Sequence, residues 1–263
     1  MRWLALFSLL ACAAHAHEPT PTVLGPALDL THPFAADTIY WPTEEGFVLE
    51  RGSEGRTEAG YYYAAHRMRL AEHGGTHLDA PIHFHEGGAT ADQVPLERLI
   101  APAVVVDVSA ACAKNADYAV SVADLERFEA AHGRIPDGAA LLLATGFAAR
   151  WPDRARYLGT AERGAGAVAK LHFPGLDPAA ARWLVAQRKL AAVGLDTASI
   201  DPGVSTRFET HQLLFAAGIP AFENLAHLDH LPATGATLIA LPMKIAGGSG
   251  GPLRAVAILP AAK

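Results

Sequence analysis

Cysteine is almost missing from this 263-residue chain: Cys12 and Cys112 are its only two. That excludes a disulfide framework and a metal site or iron–sulfur cluster built from thiolates. A surplus of positive charge is missing too. With 21 Lys and Arg against 27 Asp and Glu the net charge is −6, which argues against a nucleic-acid partner and for a small or neutral substrate. Neither an internal repeat nor a linker is visible, since the 24 glycines and 18 prolines are spread along the chain. With 51% hydrophobic residues, a chain of this length buries one substantial core, and one domain is expected over residues 17–263.

Long apolar runs are scarce as well. Trp3 to Ala14 is too short to span a bilayer. Preceded by Arg2 and ending in Ala14-His15-Ala16, it reads as a secretory signal, residues 1–16, cleaved before His17. The mature chain is then expected in the periplasm or outside the cell. Its charge would be 20 minus 27, or −7, because the leader holds one Arg and no acid. Leu9-Leu10-Ala11-Cys12 faintly resembles a lipoprotein cleavage box, but bulky Leu10 fits it poorly.

What is abundant is histidine in one place. The stretch from His73 to His85 holds His73, His77, His83, His85 and Asp79, interleaved with Gly74, Gly75 and Pro81. In an extended segment His77 and Asp79 share a face and can hold one ion together. His73 and His77 have helical spacing, yet Gly74 and Gly75 between them each cost roughly 1 kcal/mol in a helix interior, so a glycine-bent loop is expected. A straight strand would carry His83 roughly 13 Å from Asp79. The chain must therefore bend, and Pro81 marks the place. A solvated loop or a satisfied core position explains any single histidine here more simply. The ordered cluster points instead to a metal site, and its nitrogen and oxygen donors suit Zn²⁺ or Mn²⁺.

Beyond residue 80, strand and helix patterns alternate, which predicts an α/β protein with a mixed sheet. Strands are expected at Ala103 to Val108, Ala139 to Ala144, Val193 to Leu195, Ile219 to Phe222, Ala236 to Leu241 and Leu253 to Leu259. Helices are expected after the Ser121/Asp124 cap up to Gly133, from Asp177-Pro178 to Lys189, and from a cap at or near Thr210 to Ala217. Trp151 to Gly175 lacks strand character, and a loop of that length suggests a lid, an oligomer contact or a mobile segment. Gly247-Gly248-Ser249-Gly250-Gly251 lacks the Gly-Lys-Ser/Thr ending of a phosphate loop and reads as a turn lining the pocket. His85, His172, His227 and His230 have no spacing that demands a metal. Asp196 and Asp201 read equally well as turn residues, and Cys112 as a small buried hydrophobe. By spacing alone, His211 and Glu223 are satisfied polar residues at element ends.

His73-x-x-x-His77-x-Asp79-x-x-x-His83, in the setting His-x-Gly-Thr-His-x-Asp-x-Pro-x-His-Phe, resembles the signature of the cyclase family of metal-dependent hydrolases, which includes kynurenine formamidase and isatin hydrolase. The resemblance continues through Gly194-Leu195-Asp196-Thr197 to Asp201, Thr210-His211, Glu223-Asn224-Leu225 and Pro242 to Gly250, essentially the whole mature chain. It implies a single domain with a mixed sheet flanked by helices, of swivelling β/β/α type, and a homo-oligomer. It implies one metal held by His73, His77 and Asp79, and in the formamidases a second held by Asp79, His211 and Glu223. His83 would be the acid/base residue and Trp41 the aromatic wall for the substrate ring. The secretory signal and the long Trp151 to Gly175 stretch look more like the isatin-hydrolase branch, with a single Mn²⁺ in the first triad. The expected function is hydrolysis of the C–N bond in a small aryl amide or lactam by metal-activated water, with one or two Zn²⁺ or Mn²⁺ per chain. A lactone or cyclic-ester hydrolase shares these residues. A periplasmic metal- or ligand-binding protein would show exposed, repeated histidines, whereas here Asp79 and Pro81 are interleaved and His83 is spaced beyond the triad.

Overall fold

The computed structural model describes residues 25–261; the expected leader, with Cys12, lies outside the described residues. Fourteen strands are formed among them: β1 (Ala27–Asp29), β2 (Val48–Glu50), β3 (Glu54–Arg56), β4 (Tyr62–Ala64), β5 (Arg67–Arg69), β6 (His77–Asp79) and β7 (Ile100–Asp107). The second half adds β8 (Ala119–Val120), β9 (Ala140–Ala144), β10 (Gly175–Leu176), β11 (Ala192–Leu195), β12 (Ala221–Glu223), β13 (Ala236–Pro242) and β14 (Gly250–Ile258). Eight of them make one mixed sheet in the order β1-β14-β13-β7-β9-β11-β12-β6, and β6 pairs again with β14. That second pairing closes the sheet into a barrel-like ring, as an α/β fold with a mixed sheet.

The neighbouring strands β7, β9, β11 and β12 run parallel, so both of their faces are covered and they read as unbroken apolar runs. In β9 the two-residue period sends Leu141 and Leu143 into a core under the helices, with Leu125, Phe128 and Leu184. Leu142 goes to the opposite face, with Leu78, Phe222 and Leu238. The antiparallel β13 alternates instead, burying Ala236, Leu238 and Ala240 and exposing Thr237 and Leu241.

The helices start where the cap residues put them, with one correction. In Val122–His132 the Ser121 N–H donates to Asp124 at 2.8 Å, and Gly133 ends the helix. In Pro178–Gln187 the Asp177 carboxylate accepts the Ala179 N–H at 2.7 Å. Thr210 does not cap the third helix, Glu209–Ala216: it lies inside it, with its hydroxyl donating to the Leu176 carbonyl at 2.8 Å. The free N–H groups of Thr210 and His211 are taken by the distant Asp201 carboxylate, at 3.2 and 3.1 Å. A carboxylate from another loop does the work of a local cap.

Two further segments differ from expectation. Residues 48–69 carry strands where the sequence pattern shows none, forming a ribbon of β2 with β5 and β3 with β4. The Trp151 to Gly175 stretch holds short helices, Arg154–Leu158 and Ala165–Val168, and packs into the core through the fully buried Tyr157 and Phe173. Two large aromatic anchors make it a wall, which the bare count of strand-forming residues does not reveal. The Tyr157 hydroxyl lies 3.0 Å from the Asp196 carbonyl and 2.9 Å from Asn224 Oδ1. Tyr157→Phe removes that bond at a buried site and is expected to cost about 1–2 kcal/mol in denaturant unfolding. Unchanged stability would show that this segment is not part of the core.

Candidate active site and metal centre

The strand β6 is short, but it lies between β12 and β14, and its register sets the site. Glu223 is paired across the ladder with His77, and Gly250 with Asp79. Within β6 the alternation turns His77 and Asp79 to one side, with His77 Nε2 3.0 Å from Asp79 Oδ1, while Leu78 is buried on the other side. The glycine bend before β6 has Gly75 at φ +58° and brings His73 Nδ1 to 2.6 Å from Asp79 Oδ1. After β6, a 3₁₀ turn over Pro81–His83 folds the chain back. The His83 ring then stacks on His73 with centroids 3.7 Å apart. The first turn of Glu209–Ala216 delivers His211, whose Nε2 is 3.3 Å from both Asp79 Oδ2 and Glu223 Oε1.

The hydrogen bonds around these rings decide which atoms face the centre. His77 Nδ1 must donate to the Gly75 carbonyl at 2.9 Å. His211 Nδ1 donates to the Asp201 carboxylate at 2.6 Å. In its neutral form each ring is then left with its other nitrogen as a lone pair aimed at carboxylate oxygens, which are also acceptors. The buried His77 Nε2 makes no well-aligned hydrogen bond among the described residues, although Asp79 Oδ1 lies 3.0 Å and Glu223 Oε2 3.6 Å from it. A buried meeting of acceptors is stable only with positive charge in its midst. Histidines anchored through one nitrogen, with the second free, are the arrangement that holds a divalent ion. The donor set fits one.

Metal-free, the same geometry draws protons in. Burial disfavours a charge on His77, but Asp79 and Glu223 outweigh it and hold its pKa up to about 9. His211 is also raised, its burial overcome by Asp201, Asp79 and Glu223. Asp79, although buried, is held well below its ordinary value by His73, His77 and His211. Glu223 is raised by burial and by the nearby Asp79 charge. Burial pushes His83 down to about 4, against the pull of Asp79. His83 therefore sits at the site as a neutral imidazole, and no protein group hydrogen-bonds its ring among the described residues.

Two groups bring ligand atoms within 4.8 Å of one another at the site, His77/Asp79/Glu223 and His73/Asp79/His83, and they share Asp79. Above them opens a cavity of about 400 Å³, a common size for a small-molecule site, with Trp41, Phe84 and Phe208 among its walls. The Trp41 and Phe208 rings lie 6.0 Å apart and those of Phe84 and Phe208 5.3 Å apart. His85, His172, His227 and His230 do not line this cavity, and His172 pairs with Asp117 at 2.8 Å.

Three contributors are not evident in the sequence pattern. Asp201 looks like a turn residue, yet it anchors His211. Phe208 holds a left-handed backbone, φ 51°, that no aromatic signals locally. Ser249, within the glycine run, reaches His73 at 2.8 Å. Asp196, in contrast, is structural: it accepts the Thr145 N–H and hydroxyl and the Gly146 N–H at 2.7–2.9 Å.

The Cyclase family model matches residues 28–202. An isatin hydrolase of Roseibium aggregatum is 35% identical over 252 residues, which cover 91% of this chain and 90% of that protein. A kynurenine formamidase of Salinibacter ruber is 31% identical over 234 residues, covering 87% and 95%. The solved isatin hydrolase A of Labrenzia aggregata bound to benzyl benzoate superposes with a TM-score of 0.80 at 34% identity, over 89% of this chain and 93% of that one. The fold, the site and these relatives together define a hydrolase enzyme. The chain belongs to the Cyclase family.

The protons on the metal-free site give a test. A ligating His77 must be neutral, so Mn²⁺ binding at pH 7 should release at least one proton and tighten by roughly tenfold per pH unit towards pH 9. Calorimetry in two buffers of different ionisation enthalpy measures this. Binding without proton release would remove His77 from the metal site.

Proposed function

We propose that this chain hydrolyses the C–N bond of a small aryl amide or lactam. The observation that carries the reading is the cluster of His73, His77, Asp79, His211 and Glu223 on the floor of an aromatic-walled cavity, each ring anchored through one nitrogen with the other turned to a carboxylate. The 35% identity to an isatin hydrolase favours a lactam over a formamide. His73, His77 and Asp79 would hold the catalytic ion, Mn²⁺ or Zn²⁺, with His211 and Glu223 against the same Asp79. When bound, such an ion supplies an activated water and a polarised carbonyl.

The remaining work falls to the chain's own side chains. Trp41, Phe84 and Phe208 take the planar ring of the substrate. His83, neutral at pH 7 and stacked on His73, is free to accept a proton. Once charged in a buried site it is more acidic than a free imidazolium, and it passes the proton to the departing nitrogen. A C–N bond needs that step, because an unprotonated amide anion leaves poorly. Asp201 keeps the His211 ring turned so that Nε2 faces Asp79.

Export with cleavage after Ala16 belongs to the same proposal, supported by Arg2, the apolar run and the Ala14-His15-Ala16 site. So does a homo-oligomer, supported by the exposed Leu49, Tyr62 and Met68 on the β2–β5 ribbon. An N-terminus at His17 and the mass in solution check these two.

Turnover of isatin against N-formylkynurenine by the metal-loaded enzyme tests the substrate class, and hydrolysis of neither would refute it. His83→Ala is expected to keep its metal and to lose about 10²–10⁴ in kcat. Loss of the metal from that variant would make His83 a ligand instead. Metal analysis of the wild type is expected to give one ion per chain, retained in His211→Ala. Two tightly held ions, falling to one in His211→Ala or Glu223→Ala, would overturn the single centre and raise formamide cleavage above lactam opening.

A further inference from the structure

The ring of His73 is held by Ser249, which is held in turn by Glu72, and the proposed reaction uses neither residue. Its Nε2 lies 2.8 Å from Ser249 Oγ. The Ser249 hydroxyl is 2.6 Å from Glu72 Oε2, and the Ser249 N–H reaches the same oxygen at 3.0 Å. The direction of this chain of bonds is fixed by inventory. A carboxylate accepts, so the one hydroxyl proton of Ser249 goes to Glu72. Ser249 Oγ can then only accept, so His73 Nε2 must carry the proton. In the neutral ring Nδ1 is left as the lone pair, and Nδ1 is the atom 2.6 Å from Asp79 Oδ1.

The backbone is shaped to permit this contact. A Cβ on Gly250 would lie 2.4 Å from the Leu78 carbonyl oxygen and 2.6 Å from His73 Cε1, so only glycine lets the strand approach the ring this closely. The Ser249 carbonyl accepts the Ala80 N–H at 2.9 Å, which ties the serine to the chain just past Asp79. On the far side, Asp92 accepts the Gly247 N–H at 3.0 Å and holds the same loop without touching the relay.

We propose that Glu72 and Ser249 are positioning residues: they act in series to hold His73 in the Nε2–H form and make Nδ1 its metal-facing atom. The inference rests on the metal-centre reading above. Groups that orient a ligating histidine through its second nitrogen typically govern metal affinity by about 10–100-fold. The glycine-rich loop is thereby part of the metal site, through hydrogen bonding instead of ligation.

The test is back-titration of the chelator-stripped full chain with Mn²⁺ against a competing chelator, with thermal melting as the check on folding. Ser249→Ala and Glu72→Ala are each expected to weaken Mn²⁺ binding by about 10–100-fold. Because the two act in series, the double variant should bind within about threefold of the weaker single one. Ser249→Thr keeps the hydroxyl and should bind within about threefold of the wild type. Asp92→Ala loosens the loop alone and should do the same. Wild-type affinity in Ser249→Ala, multiplying losses in the double variant, or an equal loss in Asp92→Ala would each overturn the relay. His77→Ala separates the two ideas. If it keeps its Mn²⁺, the metal centre itself is wrong; if it loses the ion while Ser249→Ala does not, only the relay is.

Discussion

Two buried carboxylates, Asp79 and Glu223, facing the inner nitrogens of buried imidazoles, are the constraint from which the rest of the site follows. Burying one charge without a partner costs several kcal/mol; burying two of the same sign side by side is worse. The surroundings meet the problem with fixed bonds. Glu223 Oε1 takes the Ile200 N–H at 2.8 Å, and Asp201 and the Gly75 carbonyl take the outer protons of His211 and His77. What is left unmet is a need for positive charge at the centre, supplied by protons in the metal-free chain and suited to a divalent ion.

The closed sheet is what makes so crowded a cluster rigid. Strand β6 is three residues long and carries two of the proposed ligands, and it is held on one edge by β12 and on the other by β14. The β6–β12 pairing brings Glu223 beside His77, and the β6–β14 pairing that closes the ring brings Gly250 beside Asp79. Architecture and chemistry therefore share their contacts. Asp201 shows the same economy: one carboxylate satisfies the start of the Glu209–Ala216 helix and orients His211, so the helix and the ring it carries are placed together.

The cavity wall is made differently. Trp41, Phe84 and Phe208 come from separate loops, and Phe208 holds a left-handed backbone that an aromatic residue rarely adopts. Such backbones persist where the surrounding packing over-determines them, and they gather at functional sites. Phe173 braces this side from behind, lying 6.4 Å edge-on to Trp41. The Trp151 to Gly175 segment thus shapes the pocket from within the core.

The sequence by itself determined what depends on near neighbours. The two-residue period of a strand puts His77 and Asp79 on one face, Pro81 bends the chain so that His83 returns, and Ser121 and Asp177 start their helices. The family signature named His211 and Glu223, although their spacing alone said nothing. Tertiary structure alone decided which distant groups meet. His73 and Ser249 are 176 residues apart, and His211 and Asp79 are 132 apart. Their contacts are set by strand register and by the packing of a helix against the sheet, neither of which leaves a periodic trace in the chain. For the same reason Asp201 looked like a turn, Thr210 like a cap and residues 151–175 like a loop. The hydrogen bonds that define these residues run to partners that only the closed sheet brings within reach.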